Sequence, residues 1–469
     1  MRTSLFSIAA SLCLGSLPAS VVLAQTAEPT AAPAVAEVAA PAPAPAPAPA
    51  AAAASVTTKW SASLYGFAEF DALIDSTQSF KDSAVGNSAL SRNNTYGGNH
   101  GRTQFTVRNS RFGFKLGAPT VSSVKPSAVL EFDFFGNQPS DVSEASFFSN
   151  PAVRVRHAYL KLENPIVDVW AGQTWNLFGM QPLNQPNTVA FQGLPTEIYS
   201  RTPQVRLIRG VEAGPIAIEV AAALARPPQR DGNMPDLQGA VKVKVPGWVG
   251  VHTGSSTGTA ADPLTIGVSG VMRTFAGVAS LANSKDLQGT TGWGVSVDGY
   301  LPILPAKLDD RSNALTINGS YVKGEGIADL YTGLSGAPNA KTTTTIDGTK
   351  NTFAQSTATQ NIDSGLVGYD ATGKLKAVQW DSMMAGVQYY LPGGGNVWVA
   401  GNFGYMKSNN AKELNVGKYK DATWFDANLF YDVTPAVRLG ASYAQYKQTL
   451  MDGSEANDNR AHIAAIYLF

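Results

Sequence analysis

The chain has a single cysteine, Cys13, among 469 residues. Charge is scarce as well: Lys, Arg, Asp and Glu together make up 15% of the sequence, with 35 bases against 35 acids. Such a balance gives no electrostatic footprint for nucleic acid, and no basic run or recognition motif appears. Histidine is limited to four scattered copies, His100, His157, His252 and His462. None has the spacing of a metal site or belongs to a nucleophile motif, so no catalytic, cofactor or metal site is expected. His157 is expected to line or pack a wall rather than to catalyse. Beyond the N-terminus no stretch offers about 18 consecutive apolar residues, which excludes membrane-spanning helices. Strands are not excluded, because their alternation keeps average hydropathy near zero.

Residues 1–24 read as a secretory signal. Arg2 supplies the positive start, an apolar stretch runs from Leu5 to Leu23, and Val22-Leu23-Ala24 offers small residues for cleavage. Cys13 lies within it, so a mature chain is expected to have no thiol for disulfides, thiolate metal sites or nucleophilic attack. Export without helices leaves a secreted soluble protein or an outer-membrane barrel. Residues 25–59 are rich in Ala and Pro, including PAPAPAPAPA at 41–50. Alternating proline favours a polyproline II path of about 3.1 Å per residue, read here as a periplasmic linker or as a disordered leader without a partner.

Residues 60–469 have a different texture. Segments of about ten residues alternate apolar with small, polar or charged side chains, the period of a strand with one apolar face. In AVKVKV, Val241, Val243 and Val245 oppose Lys242 and Lys244; in SAVLEFDFFG, Leu130, Phe132 and Phe134 oppose Glu131 and Asp133. Strands are expected near 61–75, 103–116, 127–137, 152–163, 166–176, 203–212, 214–225 and 237–246. The second half adds 263–275, 291–303, 314–324, 377–391, 395–407, 421–433, 436–449 and 459–469. The stretch 246–262 reads either as a seventeenth strand or as a long turn. Long polar connections alternate with tight ones such as Asn164-Pro165, Ala213-Gly214, Pro392-Gly393-Gly394 and Thr434-Pro435. That alternation fits a sixteen-stranded antiparallel transmembrane β-barrel with long outer loops and short periplasmic turns, and not a soluble sandwich. Trp170, Trp293, Tyr389, Trp398, Trp424 and Tyr431 are candidates for the interfacial aromatic girdles.

Three segments carry a family resemblance: VRNSRFGFKLG at 107–117, VRHAYLKL at 155–162 and VWAGQTWNLFG at 169–179. With their spacing they resemble trimeric Gram-negative porins, most of all the DcaP-like group associated with uptake of dicarboxylates and other small anions. The resemblance spans about 60–469. It implies a homotrimeric outer-membrane diffusion channel whose third loop, about Asn176–Thr202 here, folds inward to narrow the pore. It also implies contact with outer-membrane lipid and lipopolysaccharide, and insertion by the barrel-assembly machinery. That group often has a coiled-coil leader, where this chain has the Ala/Pro tract.

The third loop has one carboxylate, Glu197, one base, Arg201, and prolines at Pro182, Pro186 and Pro195. Parity places Arg111, Lys115, Arg206, Lys242, Lys244, Arg273 and Arg438 on the water face. Glu69, Asp71, Glu131, Asp133, Glu219, Asp298 and Asp426 share it. Arg154 and Arg156 share parity with Leu160 and Leu162, which requires either a bulge or a place at the rim. Arginines near a constriction attract carboxylates through paired hydrogen bonds. The expected function is therefore passive diffusion of small hydrophilic solutes with a preference for small anions, driven by Arg111, Arg154, Arg156 and Arg206. A non-selective general porin, an outer-membrane hydrolase, and a barrel whose leader mainly tethers the envelope are the competing readings. The chain ends on AHIAAIYLF, expected as the strand that closes the barrel. The resemblance implies that its terminal aromatics, Tyr467 and Phe469, cue assembly.

Overall fold

The computed structural model describes residues 59–80, 89–136, 152–180, 195–228, 234–254, 258–278, 287–331, 341–346, 349–354, 365–414 and 419–469. The expected signal, Cys13, the Ala/Pro linker up to residue 58 and the centre of the third loop, 181–194, lie outside the described residues.

Sixteen wall strands form one closed antiparallel sheet. They are β1 (Ser61–Asp75), β2 in two pieces (Arg102–Thr106 and Arg111–Gly117), β3 (Lys125–Asp133), β4 (Arg154–Glu163), β5 (Asp168–Trp175), β6 (Arg201–Ala213), β7 (Ile216–Ala225) and β8 (Asp236–Thr253). There follow β9 (Thr259–Val278), β10 (Leu287–Leu304), β11 (Leu315–Glu325), β12 (Gln379–Tyr390), β13 (Val397–Lys407), β14 (Tyr419–Thr434), β15 (Val437–Leu450) and β16 (Glu455–Leu468). A tight turn whose Ser110 amide donates to the Val107 carbonyl splits β2, and both pieces pair with β1. Each strand pairs with its neighbour in sequence. β1 closes the ring on β16 from Phe67↔Leu468 to Asp75↔Arg460.

Closure follows from the backbone. In hydrocarbon an unpaired amide costs several kcal/mol, so a spanning sheet must have no edge. The last residue completes the seam: the Phe469 amide donates to the Gly66 carbonyl at 3.0 Å, and the Gly66 amide returns the bond at 2.9 Å. On the inner face of the seam, Arg460 grips Asp75 at 2.5 Å and His462 meets Asp71 at 2.8 Å.

The short connections are short for readable reasons. Gly214 takes φ +63° in the two-residue turn between β6 and β7, a conformation that L side chains rarely adopt. Asn164 caps the β4–β5 turn by accepting from the Ile166 and Val167 amides. Thr434 does the same for Ala436 and Val437 before β15. The segment 246–262 is neither an added strand nor a turn. It prolongs β8 to 18 residues and β9 to 20, beyond an irregularity between Pro263 and Leu264.

Alternation sets the two faces. Leu64, Phe70, Leu130, Leu160, Val205, Val241, Ile266, Val297, Val387, Leu429 and Ile463 point outward and are exposed. Their sequence neighbours point inward and are mostly buried. On the closing strand Ile463 and Tyr467 are exposed while His462, Ala464 and Ile466 are buried. The outward apolar band is the surface a bilayer core requires. Among the described residues no helix is long and apolar enough to cross a membrane.

The aromatic girdle expected from sequence needs correction. Trp293 and Tyr431 are exposed on the outer face. Trp398 and Trp424 are instead fully buried inside, Trp398 stacked on Phe430 and Trp424 edge-on to Tyr446. Trp170 also faces inward, stacked on Tyr159. Their strands alternate as expected, but one parity of Trp is as hydrophobic as the other. Only the closure of the barrel tells which faces inward.

Candidate pore constriction

One arc of the inner wall, β2 to β6, gathers most of the charged candidates. Strand β4 reaches it through a bulge. Glu131 pairs with His157 and Phe132 with Val155, so Arg156 is the extra residue. A one-residue insertion reverses which side chains face inward. Tyr159 and Lys161 face the lumen below the bulge and Arg154 and Arg156 above it, while Val153, Val155 and Leu160 are exposed on the outer face. The conflict between the two arginines and Leu160 and Leu162 is resolved by this bulge.

Inside, the charges form a tight constellation. The Arg156 guanidinium, 2% exposed, donates to Glu131 at 2.6 Å and to Asp133 at 3.0 Å. Arg154 holds both oxygens of Asp133, at 2.9 and 2.5 Å. Arg111 approaches Glu131 at 3.7 Å and stacks over Phe67. The Tyr65 hydroxyl donates to the second Glu131 oxygen at 3.0 Å. Arg201, at the start of β6, lies over Trp175 at 4.5 Å and beside Tyr199. Three arginines thus hold two carboxylates, and Arg201 adds a fourth guanidinium stacked on the neighbouring aromatic rings. Glu197, on the loop next to Arg201, is buried.

Towards the short-turn end the wall opens into a recess of about 520 Å³ whose bases are Lys115, Lys161, Arg206 and Lys242. Arg206 donates to Gln204 and to the Trp175 carbonyl and stacks against Trp170. Lys242 and Lys244 share Glu219 at 3.3 and 2.8 Å. Asp168 and Glu131 are the recess's other acids besides Glu219. His157 lines it too, its Nδ1 3.2 Å from the Thr174 hydroxyl, in a packing and lining position.

The third loop leaves β5 and turns onto the inner wall. The Leu177 and Phe178 amides donate to the Gln238 side chain on β8, and the Gly179 amide to the Ser269 hydroxyl on β9. The returning limb crosses to the far side. Ile198 bridges Tyr331, the Tyr199 amide donates to the Leu330 carbonyl, and Thr196 sits against Gly404 on β13. Its support is the turn Ala328–Leu330, which Arg273 of β9 holds by gripping Asp329 at 2.5 and 2.8 Å. The same guanidinium binds Asp236 at 2.9 Å.

The other half of the lumen is dry at its outer end. Val271, Phe275, Val322, Trp380, Met406, Trp424 and Tyr446 from β9 to β15 pack there with Phe178 and Ile198 of the third loop. Leu330, Leu366 and Leu375 of the β11–β12 connection complete the cluster. This packing leaves the charged wall of β2 to β8 as the polar side of the barrel interior. Sequence reading put the β11–β12 connection among the outer polar loops. Its apolar residues, Leu366, Val367, Tyr369 and Leu375, were the signal that it turns inward. Tyr65 is likewise a site residue that parity alone did not single out.

Solved structures share the architecture. The outer-membrane channel DcaP of Acinetobacter baumannii aligns with a TM-score of 0.62 at 19% identity, over 87% of this chain and 97% of that one. An anion-selective porin from Comamonas acidovorans aligns with a TM-score of 0.51 at 10% identity, over 88% of this chain and 100% of that one. At these identities the likeness is one of fold, a sixteen-stranded porin-type barrel. No protein-family model matches the chain. No curated protein matches it either.

Proposed function

We propose that the protein is an outer-membrane porin, a water-filled channel for passive diffusion of small hydrophilic solutes that favours small anions such as dicarboxylates. The carrying observation is the inward cluster in which Arg111, Arg154 and Arg156 meet Glu131 and Asp133, with Arg201 stacked on Trp175 and Glu197 buried on the adjoining loop, four guanidinium groups to three carboxylates. A guanidinium offers a planar fork of donors that suits a carboxylate, and a pore that narrows beside such forks lowers the cost of anion entry. The third loop supports the reading, since both its described limbs lie on the inner wall and narrow the bore. The barrels named above, one of them an anion-selective porin, agree in architecture.

Under this reading the outward band meets lipid and lipopolysaccharide, the chain associates as a homotrimer, and the assembly machinery recognises Tyr467 and Phe469. The Ala/Pro leader extends into the periplasm, with envelope tethering at most a secondary role. Among the described residues no cluster of His, Cys, Asp or Glu is placed to hold a metal ion, and the reading requires none. Reversal potentials across a planar bilayer under a KCl gradient test the proposal. Chloride preference is expected, and a clear potassium preference overturns it.

A further inference from the structure

The prolonged β8–β9 hairpin has no role in the constriction just described, and its contacts lead across the barrel. Beyond the irregularity at Pro263, residues 249–253 pair with 259–263, well past the last regular pair, Val245↔Leu264. This hairpin does not continue the wall. Val251 and Thr253 are fully buried, and Gly250 and Gly254 are buried with them.

The partners that bury it belong to distant strands. The ladder ends at the Thr253↔Thr259 pair; the Thr253 amide donates to the Gln388 side chain of β12 at 3.3 Å, and Gln388 donates back to the Thr253 carbonyl at 3.1 Å. The Thr253 hydroxyl meets the Tyr390 hydroxyl at 2.6 Å. Farther round, Arg438 of β15 donates to the Gly254 carbonyl at 2.6 Å. Strands β8 and β15 stand on opposite sides of a sixteen-stranded ring, so a hairpin that reaches both crosses the opening. Gln388, Tyr390 and Arg438 are all buried, inward-facing residues near the short-turn ends of their strands. Arg438 is itself fixed, held by Asp432 at 2.7 Å and laid over Trp398.

We propose that this hairpin, residues 249–254 and 258–262, forms a second restriction at the short-turn mouth of the channel, docked by Gln388 and Arg438. The proposal rests on the channel reading but concerns a separate part of the barrel. The arginine cluster then sets charge preference, and the hairpin sets the size limit for solutes leaving towards the periplasm. An opening of about 440 Å³ remains beside it, flanked by Arg311, Asp432 and Arg438.

The test is a deletion of residues 249–262. Val245 and Leu264 already pair, so the four remaining residues, Pro246, Gly247, Trp248 and Pro263, can close the strands as an ordinary short loop. Full-length wild type and variant are compared in planar bilayers for unitary conductance and for the largest polyethylene glycol that enters. Folding is checked by heat-modifiable migration. The deletion should raise conductance by about 1.5-fold or more and admit a larger polymer, with the sign of ion selectivity unchanged. A folded deletion variant with unchanged conductance and size limit overturns the proposal. Should the deletion fail to assemble, Thr259→Cys provides the second arm. A bulky thiol reagent added from the short-turn side should reduce the current, and current untouched by complete labelling overturns the proposal equally. A wild-type barrel that carries no current would instead refute the channel reading.

Discussion

The two halves of the barrel obey one alternation rule and use it differently. From β2 to β8 the inward parity is ionic: Arg111, Lys115, Arg154, Arg156, Lys161, Arg206 and Lys242 face a lumen that needs charge. From β9 to β16 the same parity holds Phe275, Trp380, Met406, Trp424 and Tyr446, covered by two inward-turning loops. Two of its acids are held by neutral donors, while Asp432 pairs with Arg438 and Arg311. Asp426 accepts from Asn402, Asn428 and the Trp424 indole at 2.8, 2.5 and 2.7 Å, and Asp298 from Ser296 at 2.6 Å. Facing inward is therefore not the same as facing water. Period-two alternation separates lipid from interior, and only the loops decide which part of the interior is wet.

The comparison breaks most visibly at the bulge. Arg156→Ala should remove the pivot between Glu131 and Asp133 and leave two carboxylates with fewer partners. Removing one member of a sealed ion pair costs about 3–5 kcal/mol, and the value here should fall near the lower end because Arg154 still holds Asp133. Anion preference should fall in the reversal potential while the unfolding temperature of the barrel drops. A variant with unchanged selectivity would detach the arginine cluster from the ion path.

The dry half should respond in the opposite manner. Trp398 is fully buried and stacks on Phe430 with ring centroids 3.7 Å apart. Truncating so large a packed ring costs about 3–5 kcal/mol. Trp398→Ala should therefore lower thermal stability and leave the reversal potential where it was. A shift in selectivity comparable to that of Arg156→Ala would show that the halves are not separate.

Much of this was legible in the sequence, and the exceptions have physical causes. Sixteen strands were placed because lipid on one side enforces a strict apolar parity. The closing strand could be read as well, although His462, Ala464, Ile466 and Leu468 weaken its alternation, because Ile463 and Tyr467 carry the outer face. The bulge at Arg156 was visible only as a conflict of parity with Leu160, since nothing local distinguishes a bulge from a rim position. Trp398 and Trp424 were misread as girdle residues because the interior is apolar where other segments fold in, the loops over Trp424 and Val251 of the β8–β9 hairpin near Trp398, and that depends on contacts far apart in sequence. The segment 246–262 offered two readings and took neither. Its partners, Gln388 and Arg438, lie more than a hundred residues away.

The smallest expected effect is the sharpest discriminator. Asp426 and Arg206 both face inward and both are buried, so a reading by parity alone gives their charges similar weight. If ions follow the β2–β8 wall, Arg206→Gln should shift the reversal potential towards potassium. Asp426→Asn should shift it by less than about a third as much, because screening and distance weaken a charge on the far, apolar-packed half. The substitution is nearly isosteric, so its effect on packing is confined to the hydrogen bonds from Asn402, Asn428 and Trp424. Both variants are measured under the same KCl gradient and at the same salt, since screening changes with ionic strength. An Asp426→Asn shift equal to that of Arg206→Gln, opposite in sign, would move the conducting path to the middle of the barrel and erase the distinction between its halves.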